Sequence, residues 1–153
     1  MTVRTNPDEQ GPPESLGSSE SFGPPDPARV GPEQFVAEFF TAFTRDLLGG
    51  EDVETVHDRY HTEDVVEIVD GNRWDRDRLV AHLRPVHRNL GDFSFHVHEA
   101  VRRGNRIAAR LTFHAVVRGN TVDTEIALFG EFTDDGRLRR SHQLTRTLTA
   151  GRD

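Results

Sequence analysis

The chain has 153 residues and a formal net charge of −7, which is room for one domain of ordinary size and the wrong charge for nucleic acid or an anionic membrane as main partner. It contains no cysteine, which excludes disulfides, thiolate metal sites and cysteine nucleophiles, and its 19 basic residues are all arginine, which excludes lysine Schiff-base chemistry. No stretch approaches the roughly 20 apolar residues of a membrane-spanning helix, and the N-terminus lacks the apolar run of a secretory signal, so a cytoplasmic location is expected.

Residues 1–31 hold six prolines, four glycines and four serines, with Val3, Leu16, Phe22 and Val30 scattered among them without periodicity. Such a segment buries too little to offset the entropy of ordering, and a disordered leader is expected there. One domain is expected over residues 32–148, followed by a short tail at 149–153.

Pro32 suits a first helical position and Glu33 a first turn. Phe35, Phe39, Phe43 and Leu47 recur every four residues with Val36 and Phe40 beside them, predicting an amphipathic helix that stops at Gly49-Gly50. Asp52 caps a second, short helix carrying Val53, Val56 and Tyr60. Val65-Val66-Glu67-Ile68-Val69 reads as a strand closing on the turn Asp70-Gly71-Asn72. A third helix starts near Asp75 with Leu79, Leu83, Val86 and Leu90 inward, and Pro85 is expected to kink it or end its regular part.

After Gly91 the period changes to two. Residues 93–101, 107–117, 122–133 and 138–148 are expected to form a four-stranded antiparallel meander, joined by Gly104-Asn105, Gly119-Asn120 and Asp134-Asp135-Gly136. Helices followed by a run of strands define an α+β fold. A two-residue loop at Gly119-Asn120 would set Leu111 opposite Leu128, Phe113 opposite Ile126 and His114 opposite Glu125. One face then carries Phe93, Phe95, Val97, Ala109, Leu111, Phe113, Ile126 and Leu128, and should receive the helices. The other carries His96, His98, Arg110, Thr112, His114, Glu125, Phe129 and Glu131. On the last strand an even loop places Ser141, Gln143 and Thr145 on the apolar face, and an odd one places His142 there.

The order of elements, with Arg59-Tyr60-His61-Thr62-Glu63-Asp64-Val65-Val66, the Gly71 turn, Arg106-Ile107-Ala108-Ala109-Arg110-Leu111 and Phe132-Thr133-Asp134-Asp135-Gly136-Arg137-Leu138, resembles the SnoaL-like branch of the nuclear-transport-factor-2-like superfamily over residues 32–148. The resemblance implies three N-terminal helices packed on a strongly curved antiparallel sheet, a cone around a deep pocket for a small hydrophobic molecule, and a homodimer. Members include polyketide cyclases, ketosteroid isomerase-like enzymes, epoxide-opening enzymes, dehydratases and proteins without catalytic role. Gln143 falls where the aldol-type cyclases place an acid, and Ile126 and Leu128 fall on their preceding polar pair. The isomerases' general base falls nearest Val69, flanked by Glu67 and Asp70.

Several side chains are therefore candidates for chemistry. Glu67, a carboxylate within an apolar strand, would have a raised pKa if it faced the pocket, and could exchange protons there. Gln143 could donate to a developing oxyanion. Tyr60 and Trp74, each the only residue of its kind, could contact a ligand, with Phe95, Phe113 and Leu128 as pocket wall. His114 and Glu125 could form a base and its orienter, whereas His96, His98 and His114 form an outer polar surface rather than a zinc site, with Arg110 disfavouring a cation. No metal and no organic cofactor is expected. The reading is a cyclase or isomerase working by acid–base chemistry; a non-catalytic binding or dimerisation module and a hydrolase or dehydratase using His114 and Glu125 are the alternatives.

Overall fold

The computed structural model describes residues 23–148. Residues 1–22 and 149–153, most of the expected leader and all of the expected tail, lie outside the described residues. The helix α1 (Pro32–Leu48) starts at its proline and stops at Gly49-Gly50, where Gly50 takes φ +92°. Its inner side chains Phe35, Val36 and Phe39 have no exposed surface. Phe132 packs edge-on against both rings, at 4.9 Å from Phe35 and 5.3 Å from Phe39. Truncating either helix phenylalanine to alanine would cost about 3–5 kcal/mol. The next helix, α2 (Val53–Tyr60), is capped by Asp52, whose carboxylate accepts from the Thr55 amide at 3.1 Å. It runs directly into strand β1 (His61–Val69). Strand β2 (Asn72–Asp75) folds back through Asp70 and Gly71, both at positive φ. Asp75 then caps α3 (Arg76–Asn89), accepting from the Arg78 amide at 3.0 Å.

Strands β3 (Leu90–Arg103), β4 (Arg106–Val117), β5 (Asn120–Phe132) and β6 (Leu138–Leu148) form the expected meander. The sheet is larger than the meander. Its order is β2-β1-β6-β5-β4-β3, six strands, because β1 pairs parallel with β6 and carries β2 on its far edge. The expected all-antiparallel sheet is corrected to a mixed one, open at β2 and β3, and not strongly curled. The three helices were expected, α3 lying between β2 and β3, and the fold is α+β as read.

Three local expectations change. Pro85 does not end the regular part of α3, which continues to Asn89; proline removes one ladder bond, and Val86 beyond it is packed against the core. The β4–β5 turn is Arg118-Gly119, not Gly119-Asn120, with φ of 50° and 81° at the two positions. Leu111 therefore pairs with Ile126, Phe113 with Thr124 and His114 with Asp123. Finally, residues 23–31, expected as part of the disordered leader, lie against the domain. Pro24, Pro25 and Pro27 pack over Gly136, and Arg102 donates to the Pro27 carbonyl.

Candidate active site

The site is built from cross-strand rows on the helix-facing side of the sheet. Glu67 on β1 stands directly opposite Trp74 on β2 and Ser141 on β6, and Val69 stands opposite Gln143. The parallel β1–β6 pair thus brings together side chains 74 and 76 positions apart in sequence. Glu67 is 8% exposed. Its Oε1 accepts from the Ser141 hydroxyl at 2.9 Å and from the Gln143 amide at 3.0 Å. The Gln143 amide also donates to Ser141 Oγ at 3.2 Å, which closes a three-membered network. Oε2 accepts no hydrogen bond among the described residues, yet it is not among the sealed polar atoms that lack a partner. Through Oε1 the Glu67 side chain is held in one orientation.

Gln143 was expected to donate to an oxyanion. Its two amide hydrogens are instead directed at Glu67 and Ser141, which makes it a positioning residue for the carboxylate.

Half-buried apolar side chains lie farther along the same side of the sheet, on the β3–β4 side. Phe95 stacks between Phe40 at 5.5 Å and Phe113 at 4.5 Å, and Leu83, Val86 and Ile126 pack beside them against the core. Phe95 and Phe113 are half-buried on the helix-facing side of the sheet. Leu128 lies on the same side, opposite Gln143, but is 1% exposed and belongs to the core. Trp74 is half-buried, with the Arg78 guanidinium over its ring at 4.1 Å and the His82 ring edge-on at 5.1 Å.

Two expected site residues lie elsewhere. Tyr60 has no exposed surface; its ring packs on Phe39 and Phe43, and its hydroxyl donates to Asp46 at 2.5 Å. Burial and that bond raise its pKa well above the ordinary phenol range, so it is a core residue with a buried polar tip. His114 lies on the outer side of the sheet, paired with Asp123 at 2.5 Å rather than with Glu125, which meets Arg146 at 3.4 Å. This places His114 away from Glu67. His98 is the extra residue of a bulge and bonds Thr112 Oγ1 at 2.7 Å. Among the described residues, no group of three or more His, Cys, Asp and Glu side chains is arranged to hold a metal.

Two histidines beside the site carried no expectation. His61 is almost wholly buried, and its Nδ1 hydrogen bonds the His57 carbonyl at 2.8 Å, which assigns the proton to that nitrogen. His57 stacks on it in parallel at 4.1 Å. Burial lowers the pKa of both, that of His57 to about 3, and the charge of Glu67 partly opposes the shift at His61. Both rings are therefore neutral at physiological pH.

Residues 36–141 match the SnoaL-like domain family. The chain belongs to that family. An uncharacterized protein of Schizosaccharomyces pombe is 29% identical over 120 residues, spanning 78% of this chain and 88% of its own. Among solved structures, a candidate SnoaL-like polyketide cyclase from Shewanella denitrificans matches 71% of this chain and 88% of its own, at TM-score 0.54 and 16% identity. IdmH from Streptomyces antibioticus, a candidate polyketide cyclase, matches 70% and 88% at TM-score 0.53 and 13% identity. A hypothetical protein with a ketosteroid isomerase-like fold from Catenulispora acidiphila, solved with trimethylamine, matches 69% and 83% at TM-score 0.51 and 11% identity. At these identities the SnoaL-like domain shares a fold with them. Among the described residues, no helix is long and apolar enough to cross a membrane.

Proposed function

We propose that this SnoaL-like protein is an acid–base enzyme of cyclase or isomerase type, acting on a small apolar molecule with Glu67 as its proton-transfer group. The observation that carries the reading is a nearly buried carboxylate whose one oxygen is held by Ser141 and Gln143 and whose other oxygen has no partner among the described residues. In this reading Oε2 takes a proton from a carbon next to a carbonyl and returns it at another position. No ion-pair partner of Glu67 occurs among the described residues, and its polar contacts there are the Ser141 hydroxyl and the Gln143 amide. The reading draws on the fold shared with candidate polyketide cyclases and requires no cofactor.

Hydrogen–deuterium exchange of 2-tetralone, an apolar enolisable ketone, followed by NMR in heavy water tests it. The wild type should accelerate exchange over buffer, and Glu67→Gln should remove roughly a hundredfold of that acceleration while the fold persists. Equal exchange in the two proteins would reject Glu67 as the base. A second reading, binding without turnover, rests on Gln143 standing where the cyclases carry an acid. Tight binding of the ketone with no acceleration would support it.

A further inference from the structure

Strand β1 is irregular between His61 and Val66: His61 stands opposite Leu138 on β6, and Val66 already stands opposite Arg140. Leu138 and Ser141, the β6 partners of His61 and Glu67, stand in turn opposite Phe132 and Gly130 on β5. His61 and Glu67, six positions apart in sequence, are thus two positions apart along the sheet, about 7 Å. The His61 ring meets Phe39 and Phe43 of α1 edge-on at 6.1 and 5.0 Å, so it shares the helix side with Glu67. Its Nδ1 proton goes to the His57 carbonyl, which leaves Nε2 of the neutral ring a bare acceptor. A second proton would charge a ring that is 5% exposed and stacked on another imidazole at 4.1 Å. No described side chain donates to Nε2, and unlike both nitrogens of His57 it is not sealed from solvent. Glu67 Oε2 is in the same condition.

We propose that His61 is a ligand-binding residue of the Glu67 site, its Nε2 accepting a hydrogen bond from a hydroxyl of the substrate, so that the site prefers hydroxylated enolisable ketones to wholly apolar ones. The inference rests on the reading of Glu67 as the proton-transfer group. Two neighbouring acceptors without partners match a ligand that brings a C–H acid to Oε2 and an O–H donor to Nε2. An ether or carbonyl oxygen at Nε2 would meet a lone pair and leave both groups unpaired, which is the physical basis for rejecting a ligand without the donor. His57 acts through His61 as a positioning residue: its carbonyl fixes the tautomer and its own ring stacks on the imidazole.

Titration calorimetry on the full chain with 6-hydroxy-2-tetralone and 6-methoxy-2-tetralone tests the assignment without calling on turnover. The hydroxy ketone should bind at least about tenfold more tightly than the methoxy ketone, which keeps the rings and the oxygen but has no proton to donate. His61→Asn can still donate an N–H to the His57 carbonyl but loses the Nε2 acceptor, and should reduce that preference to within about twofold. Nitrogen NMR of the wild type with labelled histidine should show the His61 Nε2 resonance move on adding the hydroxy ketone and stay on adding the methoxy ketone, a signature that needs no variant to fold. Equal binding of the two ketones, binding of neither, an unmoved Nε2 resonance, or a preference that survives in folded His61→Asn would overturn the proposal. Failure of Glu67 as the base reads out separately, as proton exchange that Glu67→Gln leaves intact while the hydroxyl preference in binding persists.

Discussion

Replacing His57 by phenylalanine separates the effect of a buried titrating ring from the rest of the acid response. The His57 side chain is 1% exposed, and neither ring nitrogen has a hydrogen-bond partner; Asp58 lies 3.5 Å from Nδ1, too far to supply one. Burial is the main cause of its lowered pKa, the charge of His61 adds to it, Asp58 opposes it and Arg76 contributes a little more. In the unfolded chain the imidazole takes a proton near pH 6.5, whereas in the folded chain it does so only near pH 3. Between those values the unfolded state binds more protons, so stability falls as the pH falls, by up to about 1.4 kcal/mol per pH unit. From pH 6.5 to about pH 5 that amounts to about 2 kcal/mol, with no effect above the upper value. Phenylalanine keeps the stacking on His61, breaks no hydrogen bond and cannot titrate, so near neutral pH it should cost less than about 1.5 kcal/mol. Urea unfolding of both proteins near pH 7 and pH 5 measures the difference. The wild type should lose about 2 kcal/mol more than the variant over that interval. Equal losses would show that His57 takes up its proton in the folded state, and would refute the buried neutral ring.

Gly136→Ala should displace residues 23–31 from the domain, because its Cβ would fall 2.5 Å from the Pro25 carbonyl oxygen at a backbone φ of +85°. We expect a loss of about 1–3 kcal/mol and faster limited proteolysis within that segment; an unchanged cleavage pattern would contradict the packing. Tyr60→Phe should cost about 1–3 kcal/mol, because it strips Asp46 of a hydrogen bond in the core. A melting temperature equal to the wild type would place the hydroxyl in water instead.

Helix positions and sheet faces were legible because they rest on local signals: caps at Asp52 and Asp75, the Phe35–Phe39 spacing, and alternation along β4 and β5. Moving the turn from Gly119-Asn120 to Arg118-Gly119 shifts every partner by two positions, and a shift of two leaves each side chain on its own face. The faces thus survived an error that paired His114 with the wrong acid. The parallel β1–β6 pair had no local signal, and the network at Glu67 exists only through that pair. Sequence singled out Glu67 and Gln143 separately and could not join them. The burial of His57 did have a signal: with Val53, Val56 and Tyr60 it completes an i, i+3, i+4, i+7 stripe on α2.

Which side chains of β6 reach Glu67 depends on one residue. Phe132 pairs with Leu138 across a five-residue connection, an odd count that by alternation alone would turn His142 toward the helices. Glu131, however, pairs with Arg140, so Arg139 is the extra residue of a bulge that restores Ser141 and Gln143 to the helix side. Deleting Arg139 takes out the extra residue and leaves the register: Leu138 stays opposite Phe132 and Arg140 opposite Glu131, and plain alternation then keeps Ser141 and Gln143 on the helix side. The deletion should therefore be tolerated, costing less than about 2 kcal/mol by urea unfolding. Replacing Arg139 by alanine keeps the bulge and should change stability by less than about 0.5 kcal/mol. A loss above about 3 kcal/mol on deletion alone would show that Arg139 is not a surplus residue, and the placement of Gln143 beside Glu67 would lose its cause.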